Sequence, residues 1–503
     1  MLEPVPDRFN LAGYCLAENA RTQPDRAALT IVGDDHVLCW TFGELDEKVR
    51  RLAAGFLSLG LPPGARVMIR MGNEANAALA YFAAIAAGYV ALLASSQLTF
   101  EEADFLRVDC EASALVLGEA FEQEAHDAEA LHILLAGDLK RLLAMHPLSD
   151  YADTGANDPA YLVYTSGTTS RPKGVLHAHR AAWARRIMYP HWMGLGRGDV
   201  MLHAGAINWT YTLGVGVIDP LASGAQAILY NGTPDPAIWP RLINDYRATI
   251  FAAVPGVYRQ ILKYSSAEAK NLFSLRHGLS AGAALTPDLL EQWLAHTGKE
   301  IFEAYGMSEV STFISSGPTT PVRPGSPGRP QPGRRVAVLS RDGDDTPLPA
   351  GETGLMAVHR DEPGLMLGYW KRPEEQEEAL RDEWFVSGDL VEIDADGYVW
   401  LHGRADEVMN AGGYRVSPAE VERCLLGHPC VVEAAVAERP GREGGTTIIK
   451  AYVVPREGYD LDEAEILGHC AQHLASYKRP RAALVLVTLP RNANGKLMRN
   501  SLP

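Results

Sequence analysis

The segment Tyr164–Gly174 constrains the fold of this chain more than any other stretch. It follows the apolar run Ala160–Val163, and its eleven residues carry five Ser or Thr hydroxyls, two glycines and Lys173. A strand that runs into such a loop presents backbone N–H groups, hydroxyls and an ammonium to a polyphosphate. It differs from the common P-loop, because Gly174 and Val175 follow the lysine where that motif has Ser or Thr. A solvated surface loop is the alternative explanation when the segment is taken alone.

Length, composition and charge indicate an ordinary soluble protein with at least two domains. The chain has 503 residues, of which 47% are hydrophobic and 21% charged, and one small core cannot accommodate that length. The formal net charge of −16 argues against nucleic acid or an anionic membrane as the main partner. An anionic ligand must therefore be held by local cationic groups, for which Lys173, Arg404 and Lys496 are candidates.

Cysteine usage and apolar patterning predict a cytoplasmic protein without an integral membrane segment. The six cysteines are scattered without a CxxC pair, which favours reduced thiols. Met1–Asn10 contains Glu3 and Asp7 and does not resemble a signal peptide. The longest apolar stretch, Ala77–Ala94, approaches transmembrane length. We predict that it forms a buried helix broken at Gly88 and then a buried strand.

Alternating helix and strand patterns run through the first four hundred residues. The capping box Thr41–Glu44 predicts the start of a helix that ends at Gly60. Short apolar runs that predict strands lie at Ala65–Ile69, Tyr89–Leu93, Ala114–Leu117, Leu131–Leu135, Ala160–Tyr164, Gln226–Tyr230 and Thr249–Ala253. This alternation predicts a large α/β N-terminal domain in which helices pack on the faces of stacked, mainly parallel sheets.

The composition changes twice towards the C-terminus. Around Arg323–Arg335 it becomes rich in Gly, Pro and Arg, and the shorter β-type runs that follow predict a small β subdomain. A second boundary lies near Arg404–Asp406. Beyond it, Ser417–Glu420 is predicted as a capping box that opens a helix to about Leu426. The remaining runs predict strands at Val431–Val436, Ile448–Val454 and Ala482–Val487 and a helix near Asp462–Leu474. We therefore expect domains at 1–404 and 408–503, the second a small, mobile α+β unit.

Four further segments accompany the opening loop in a fixed order. They are Tyr305–Glu309, the group Trp384–Asp389 with Gly403–Asp406, then Ala411–Arg415, and finally Leu489–Lys496. Together with Tyr164–Gly174, their order and spacing resemble the signatures of the adenylate-forming superfamily. That superfamily comprises acyl-CoA synthetases, adenylation domains of nonribosomal peptide synthetases and firefly luciferase. The resemblance spans nearly the whole chain.

The resemblance implies an ATP-dependent reaction in two steps. A carboxylate attacks the α-phosphorus of ATP to give an acyl-adenylate and pyrophosphate, and a thiol then takes the acyl group. Because two anions meet in the first step, charge neutralisation and positioning must carry most of the catalysis. The phosphate-binding residues implied are Thr165, Ser166, Gly167, Thr168, Thr169 and Lys173. Thr168 and Glu309 would hold Mg²⁺, a hard cation that prefers oxygen ligands.

The same resemblance assigns the rest of the nucleotide site. Asp389 and Arg404 would bind the ribose, Tyr305 would stack on the adenine, and Ser308 would donate to the α-phosphate. The backbone of Gly282, Ala283 and Ala284 would line the other side of the base, with Glu303, Ala304, Gly306 and Met307 completing the site. Ala283 stands where many relatives have Glu, so only backbone contacts are carried over there.

Lys496 resembles the catalytic lysine found near the C-terminus throughout the superfamily. Its ammonium would offset negative charge between the carboxylate and the α-phosphate. The domain that carries it must swing aside before a thiol enters, which makes residues 405–407, and Asp406 in particular, the expected hinge. The phosphate loop departs from the superfamily pattern at Ser170, where glycine is usual and a positive φ would strain serine.

Free coenzyme A is the expected thiol. Gly412, Gly413 and Tyr414 resemble the loop that lines the pantetheine tunnel of acyl-CoA synthetases, and we expect no attached carrier-protein domain. The alternatives are a stand-alone adenylating enzyme that loads a carrier-protein phosphopantetheine and an inactive nucleotide-binding regulator. The sequence also leaves open whether the protein forms a homodimer.

The acid pocket is predicted from the segment Asn208–Gly214, which resembles benzoate–CoA ligases and medium-chain acyl-CoA synthetases. By that resemblance the acid would lie against Trp209, Thr210, Tyr211, Gly282 and Thr312. Large aromatic walls suit a compact or flat apolar acid, although Trp209 and Tyr211 could also be plain core residues. These segments contain no basic residue for a second carboxylate, which disfavours a dicarboxylic acid.

Overall fold

The computed structural model describes residues 4–127, 132–165, 172–265, 270–341, 343, 345–405, 409–411, 414–440, 447–474, 476–491 and 497–503. They form two compact units. The first unit comprises Met1–Arg335 and His359–Leu380, and the second comprises Val336–Val358 and Arg381–Pro503. The predicted domain boundary at 405–407 lies within the second unit and stays a prediction.

A seven-stranded sheet carries the phosphate segment of the first unit. Its strands, in spatial order, are β18 (Gly368–Tyr369), β8 (Lys173–Ala178), β7 (Pro159–Thr165), β4 (Val90–Ala94), β3 (Arg66–Arg70), β5 (Ala112–Leu117) and β6 (His132–Leu134). The strands from β7 to β6 are parallel. β8 is antiparallel to β7, and β18 to β8. The prediction of parallel strands is therefore correct for the middle of the sheet and misses its antiparallel edge.

A nine-stranded sheet carries the other site segments of the first unit. Its spatial order is β15 (Arg329–Pro330), β14 (Ser311–Ser315), β13 (Ile301–Met307), β12 (His277–Ala281), β11 (Ile250–Ala252), β9 (Val200–His203), β10 (Gln226–Tyr230), β1 (Ala27–Val32) and β2 (Val37–Thr41). The strands from β13 to β1 are parallel, whereas β2, β14 and β15 are antiparallel to their neighbours. Carboxyl ends of adjacent parallel strands meet at one edge, where ligands bind in such sheets.

Helices pack on both sheets, and the largest core cluster combines strands of both sheets with the first three helices. The described α-helices of this unit are α1 (Leu11–Thr22), α2 (Phe42–Leu57), α3 (Ala75–Ala86), α4 (Phe100–Asp109), α5 (Ala136–Leu142), α6 (Arg180–Ala184), α7 (Asp219–Ser223), α8 (Ile238–Asp245), α9 (Pro255–Tyr264), α10 (Pro287–Thr297) and α11 (Pro373–Glu378). This arrangement confirms the predicted α/β class.

Two local predictions in this unit are confirmed in detail. The Thr41 hydroxyl accepts from the Glu44 N–H, and the Glu44 carboxylate accepts from the Thr41 N–H, so the capping box at the start of α2 is complete. The apolar stretch splits into α3 and β4 as expected. Gly88 between them has φ +80°, a left-handed conformation that glycine adopts without strain.

The second unit contains a five-stranded sheet and two small sheets. The first is built from β16 (Val336–Leu339), β17 (Thr353–His359), β20 (Trp384–Ile393), β19 (Leu380–Arg381) and β21 (Val399–Arg404), with β21 paired to β20. The others pair β22 (Met409–Ala411) with β23 (Tyr414–Val416), and β24 (Val431–Pro440) with β25 (Thr447–Pro455) and β26 (Ala482–Val485). The α-helices of its described residues are α12 (Pro418–Leu426) and α13 (Glu463–His473), which confirms the predicted α+β character.

One predicted helix start is wrong in its chemistry, although the helix itself is confirmed. Ser417 precedes α12 as predicted, but its hydroxyl makes no capping hydrogen bond. It donates instead to the backbone carbonyl of His402, fifteen residues earlier. A long-range partner thus replaces the local capping box.

Two further predictions concern membrane-spanning helices and the state of the cysteines. Among the described residues, no helix is both long and apolar enough to cross a bilayer. Each of the six cysteines is a free thiol, in agreement with the scattered spacing.

Candidate active site

The strands β7 and β8, which flank the predicted phosphate segment in the sequence, form an antiparallel pair. Thr165 ends the first strand and stands directly opposite Lys173, which begins the second. Of the predicted phosphate ligands, Ser166, Gly167, Thr168 and Thr169 lie outside the described residues. The hairpin therefore places Lys173 at the base of the predicted phosphate loop.

Tyr369 connects Lys173 with the predicted metal ligand. The Lys173 ammonium lies 5.5 Å from the centroid of the Tyr369 ring, and the Tyr369 hydroxyl donates to Glu309 Oε1 at 2.8 Å. Tyr369 belongs to β18, whose pairing with β8 brings it beside the lysine. The structure thus brings Lys173 and Glu309 together around one side chain. Sequence reasoning missed Tyr369, because only the antiparallel sheet edge places it there.

Lys173 has a carboxylate partner in this structure. Its ammonium forms an ion pair with Glu375, at the start of α11, and both side chains are partly exposed. Arg372 lies 3.8 Å from the same carboxylate group. If Lys173 binds phosphate as predicted, it exchanges Glu375 for phosphate oxygens.

The predicted adenine segment lies at the carboxyl end of parallel strands. Gly282, Ala283 and Ala284 follow β12 and are exposed, and Gly282 has φ +87°. The neighbouring strand β13 carries the predicted residues from Glu303 to Met307. Tyr305 packs edge-to-face on Phe313 with 5.5 Å between ring centroids. This is the edge where a nucleotide is expected in an open parallel sheet.

Glu303 positions the adenine segment through a buried carboxyl. The side chain is 5% exposed, and its Oε1 accepts from the Leu285 N–H at 3.0 Å. Burial raises the pKa of Glu303 to about 8, opposed by the Leu285 hydrogen bond. Glu303, predicted to bind nucleotide, here ties down the end of the Gly282–Ala284 segment with its side chain.

Replacing Glu303 by glutamine should change how stability depends on pH. Between the usual carboxyl pKa of 4.5 and about 8, the unfolded chain loses this proton while the folded protein keeps it. The contribution to unfolding free energy therefore falls as pH rises through that window and is constant above it. Glu303→Gln keeps an acceptor for the Leu285 N–H but has no group that titrates, so it lacks this pH-dependent loss of stability. Thermal unfolding at several pH values should show the unfolding free energy of the variant rising relative to that of the wild type from pH 5 to 8, by a few kcal/mol at most. If the difference between the two proteins does not change with pH, Glu303 is not a buried neutral carboxyl.

A cavity beside Ser308 contains the predicted acid-binding residue Thr210. Its volume of about 20 Å³ holds about one water molecule, so a larger ligand enters only when the surrounding side chains move apart. Polar and apolar side chains share its wall, namely Tyr161, His177, Arg185, Thr210, Leu213, Gly214, Ile218, Ser308 and Ser311. The predicted α-phosphate donor Ser308 and the predicted acid-pocket residue Thr210 therefore line one cavity.

Arg185 and Asp219 form a buried ion pair at this cavity. Arg185 Nε and Nη2 donate to the two Asp219 carboxylate oxygens at 2.7 and 2.6 Å, and the Asp219 side chain is fully buried. Arg185 Nη1 donates to the Ser311 hydroxyl. Burial alone would lower the pKa of Arg185, but the carboxylate raises it above its usual value. The cavity therefore contains a guanidinium whose charge is already balanced.

A flat aromatic wall lies on the same cavity. The rings of Tyr161 and His177 are stacked, with centroids 4.7 Å apart and planes within 13°. The Nε2–H of His177 donates to the Ser308 carbonyl at 2.7 Å, and burial lowers the pKa of His177 to about 4. A neutral His177 thus holds the backbone of Ser308. Its place in β8, four residues after Lys173, was the available sequence signal.

The other predicted pocket residues have different partners. The Tyr211 hydroxyl donates to the Leu279 carbonyl at 3.1 Å, and its ring packs edge-on against His203. The Thr312 hydroxyl points to Met188 Sδ at 2.7 Å, while its neighbour Ser311 lines the cavity. Trp209 is half-buried. Of the predicted set, Thr210 is the member placed on this cavity wall.

The predicted ribose ligands are brought together in the second unit. Asp389 on β20 and Arg404 on β21 are directly opposite each other in the antiparallel pair. Arg404 Nη1 lies 3.7 Å from Asp389 Oδ1. The pairing of two strands therefore sets an acceptor and a donor side by side, as recognition of a diol requires.

Gly388→Ala should displace Arg404 without unfolding the protein. A Cβ at Gly388 would lie 2.4 Å from Arg404 Nη2, the far end of a flexible side chain. We expect the KM for ATP to rise roughly tenfold, the effect of losing one charge-assisted hydrogen bond. Gly256→Ala is the control, because a Cβ there meets no atom within 4 Å. An unchanged KM for ATP would contradict a role of Arg404 in nucleotide binding.

Several predicted site residues lie outside the described residues, so their roles stay predictions. They are Lys496, the hinge residue Asp406 and the CoA-loop residues Gly412 and Gly413. For Tyr414 the backbone forms part of β23.

Comparison with known proteins agrees with this geometry. The model of the AMP-binding enzyme family matches residues 16–370, and that of the AMP-binding enzyme C-terminal domain matches residues 420–496. The chain belongs to the AMP-binding enzyme family, as its motifs predict. This confirms the reaction class of an ATP-dependent acid–CoA ligase.

Individual relatives cover almost the whole chain. The uncharacterized acyl–CoA ligase YtcI of Bacillus subtilis is 30% identical over 92% of this chain and 90% of its own. The benzoate–CoA ligase of Thauera aromatica is 30% identical over 99% of this chain and 96% of its own. The crystal structure of ATP-bound MatB from Rhodopseudomonas palustris has a TM-score of 0.89 at 28% identity, covering 98% and 97% of the two chains.

Proposed function

We propose that this protein activates a small aromatic carboxylic acid as its adenylate and transfers the acyl group to coenzyme A. The observation that carries the proposal is the junction at Ser308 and Glu309. Ser308 lines the same cavity as the predicted acid-pocket residue Thr210, and the next residue, Glu309, shares Tyr369 with Lys173. An acid in the cavity would therefore meet a nucleotide phosphate held by these groups.

Adenylation on this site is mainly a matter of charge and position. The Lys173 ammonium leaves Glu375 and binds the β- and γ-phosphates that depart as pyrophosphate. Ser308 donates to the α-phosphate, and His177 fixes the backbone of Ser308. Held in this way, the carboxylate and the α-phosphorus react as neighbours rather than by free encounter.

Glu309 suits a Mg²⁺ ion. It is a hard oxygen donor, and the Tyr369 hydroxyl orients its carboxylate, as an outer hydrogen bond does for metal-binding carboxylates. Mg²⁺ supplies neutralisation of the phosphate charge when bound. Glu309, with Thr168, would hold it.

The cavity favours a flat, compact monocarboxylic acid. The stacked rings of Tyr161 and His177 offer a planar wall, and aromatic acids pack well on such faces. Arg185 is balanced by Asp219, so the cavity offers no surplus positive charge to a second carboxylate. The benzoate–CoA ligase relative supports the same class of substrate.

The second half-reaction rests on residues predicted from the sequence. Lys496 would serve adenylation, and rotation about Asp406 between domains 1–404 and 408–503 would admit coenzyme A. Gly412, Gly413 and Tyr414 would line the pantetheine path. A homodimer and a cytoplasmic location stay predictions.

Glu309→Gln should raise the requirement for Mg²⁺. The amide keeps the shape and an acceptor for Tyr369 but removes the negative charge that attracts the cation. The Mg²⁺ concentration for half-maximal rate should rise roughly tenfold or more, with lower turnover at saturation. Glu291→Gln, an exposed change on α10, is the control. An unchanged Mg²⁺ dependence would make Glu309 a structural residue.

Adenylation by itself can be tested without coenzyme A. Isotope exchange between pyrophosphate and ATP requires the acid to form an adenylate reversibly. We expect exchange with benzoate or a ring-substituted benzoate and much less with a long-chain fatty acid. Exchange with none of a broad panel of acids would refute the proposed activity.

A further inference from the structure

Three metal-ligating side chains meet in the second unit, outside the predicted nucleotide and acid residues. They are Cys424 on α12 and His469 and His473 on α13. The two histidines are four residues apart, so they share one face of the helix. One ligand atom from each of the three residues lies within 4.8 Å of the other two.

Hydrogen bonds to backbone carbonyls prepare both imidazoles for a metal. His469 Nε2 lies 2.9 Å from the Cys424 carbonyl, and His473 Nδ1 lies 2.9 Å from the His469 carbonyl. A carbonyl only accepts, so each of these nitrogens carries its proton and the second nitrogen of each ring keeps the lone pair. Metal-bound histidines in proteins are held by the same kind of outer hydrogen bond.

We propose that Cys424, His469 and His473 form a binding site for a borderline-soft divalent transition metal, with zinc as its natural occupant. One thiolate and two imidazoles are ligands that zinc takes in tetrahedral sites, and water would complete the fourth position. The donor set excludes the hard Mg²⁺ of the phosphate site as occupant. The proposal is independent of the proposed acid and of the ligase reaction.

The neighbours of the three ligands define what the ion does. The Cys470 thiol hydrogen-bonds with Cys424, and the His428 ring packs edge-on against His469 with 5.0 Å between centroids. His428 Nε2 faces Glu465 at 3.6 Å, so it supports the packing and is not one of the three ligands. A bound ion would join α12 to α13 and stabilise the fold of this unit.

Cobalt titration tests the site through its spectrum. Untagged full-length protein is stripped with a chelator, kept reduced and titrated with Co²⁺. We expect one ion per chain, a thiolate-to-cobalt charge-transfer band in the near ultraviolet, and loss of the band when Zn²⁺ is added. Cys424→Ser and His473→Ala should each lose the band. Cys430→Ser is the matched control, because it removes a half-buried thiol outside the three ligands, and it should keep the band.

Thermal unfolding supplies a second measurement. Ligand bound only by the folded state stabilises it, so Zn²⁺ should raise the unfolding midpoint of the wild type and leave that of His473→Ala unchanged. His473 is exposed, and the variant should fold normally without metal. No charge-transfer band in the wild type would overturn the proposal. So would a band retained in Cys424→Ser, which would assign the metal to another thiol.

Discussion

Replacing Lys496 by alanine should lower adenylate formation by roughly 100- to 1,000-fold, the range for loss of one preorganised charge-stabilising group. By the predicted role, the ammonium is needed when the carboxylate meets the α-phosphate, since negative charge is concentrated there. It is not needed when a thiol attacks the finished mixed anhydride. Thioester formation from supplied acyl-adenylate should therefore keep most of its rate.

Two further variants accompany Lys496→Ala, one that keeps the charge and one that serves as the control. Lys496→Arg keeps the charge with a different shape and should retain part of the adenylation rate. Lys140→Ala removes an exposed cation on α5 and should change neither half-reaction. Equal loss of both half-reactions in Lys496→Ala, or no loss in either, would defeat the catalytic assignment.

Asp219→Leu should cause the largest loss of stability. The change leaves the Arg185 guanidinium, 7% exposed, without the carboxylate that balances it. Breaking a buried pair by removing one partner typically costs about 3–5 kcal/mol. Gly214 packs against this guanidinium, because a Cβ there would lie 2.3 Å from Arg185 Nη2. The arginine therefore has little room to move towards other partners, and the unfolding midpoint should fall.

The double variant Arg185→Met/Asp219→Leu separates pairing from packing. Two apolar side chains of similar volume often replace a buried ion pair without loss. We expect the double variant to recover most of the stability that Asp219→Leu loses. A double variant as unstable as the single one would mean that the loss comes from packing around Asp219 rather than from an unpaired charge.

Patterns local in the sequence predicted most of the fold. Apolar runs located the parallel strands β3 to β7, β10 and β11 but not β1, β9, β12 or β13. Gly88 marked the break between α3 and β4. The features that were found depend on a few neighbouring residues. Ser417 shows why a local pattern can fail. Its spacing to Glu420 predicts a capping box, but the His402 carbonyl is a competing acceptor from a distant strand.

The candidate site likewise contains residues that local motifs predict and residues that only tertiary structure brings together. Lys173, Glu309, Asp389 and Arg404 lie in motifs that a single sequence displays. Tyr369 reaches Lys173 only because β18 pairs with β8, almost two hundred residues earlier. Arg185 and Asp219 are likewise joined by tertiary packing, because 34 residues of sequence separate them. Groups that orient or balance the reacting residues were therefore beyond sequence reasoning.

The measurement that tests the central claim most directly is product analysis with ATP, Mg²⁺ and a panel of carboxylic acids, with and without coenzyme A. The proposal predicts AMP, pyrophosphate and an acyl-CoA thioester in equal amounts, fastest with a small aromatic acid and dependent on coenzyme A. Pyrophosphate release with acyl transfer only to a carrier-protein thiol would contradict the acceptor. An absence of both pyrophosphate and thioester with every acid would contradict the ligase itself.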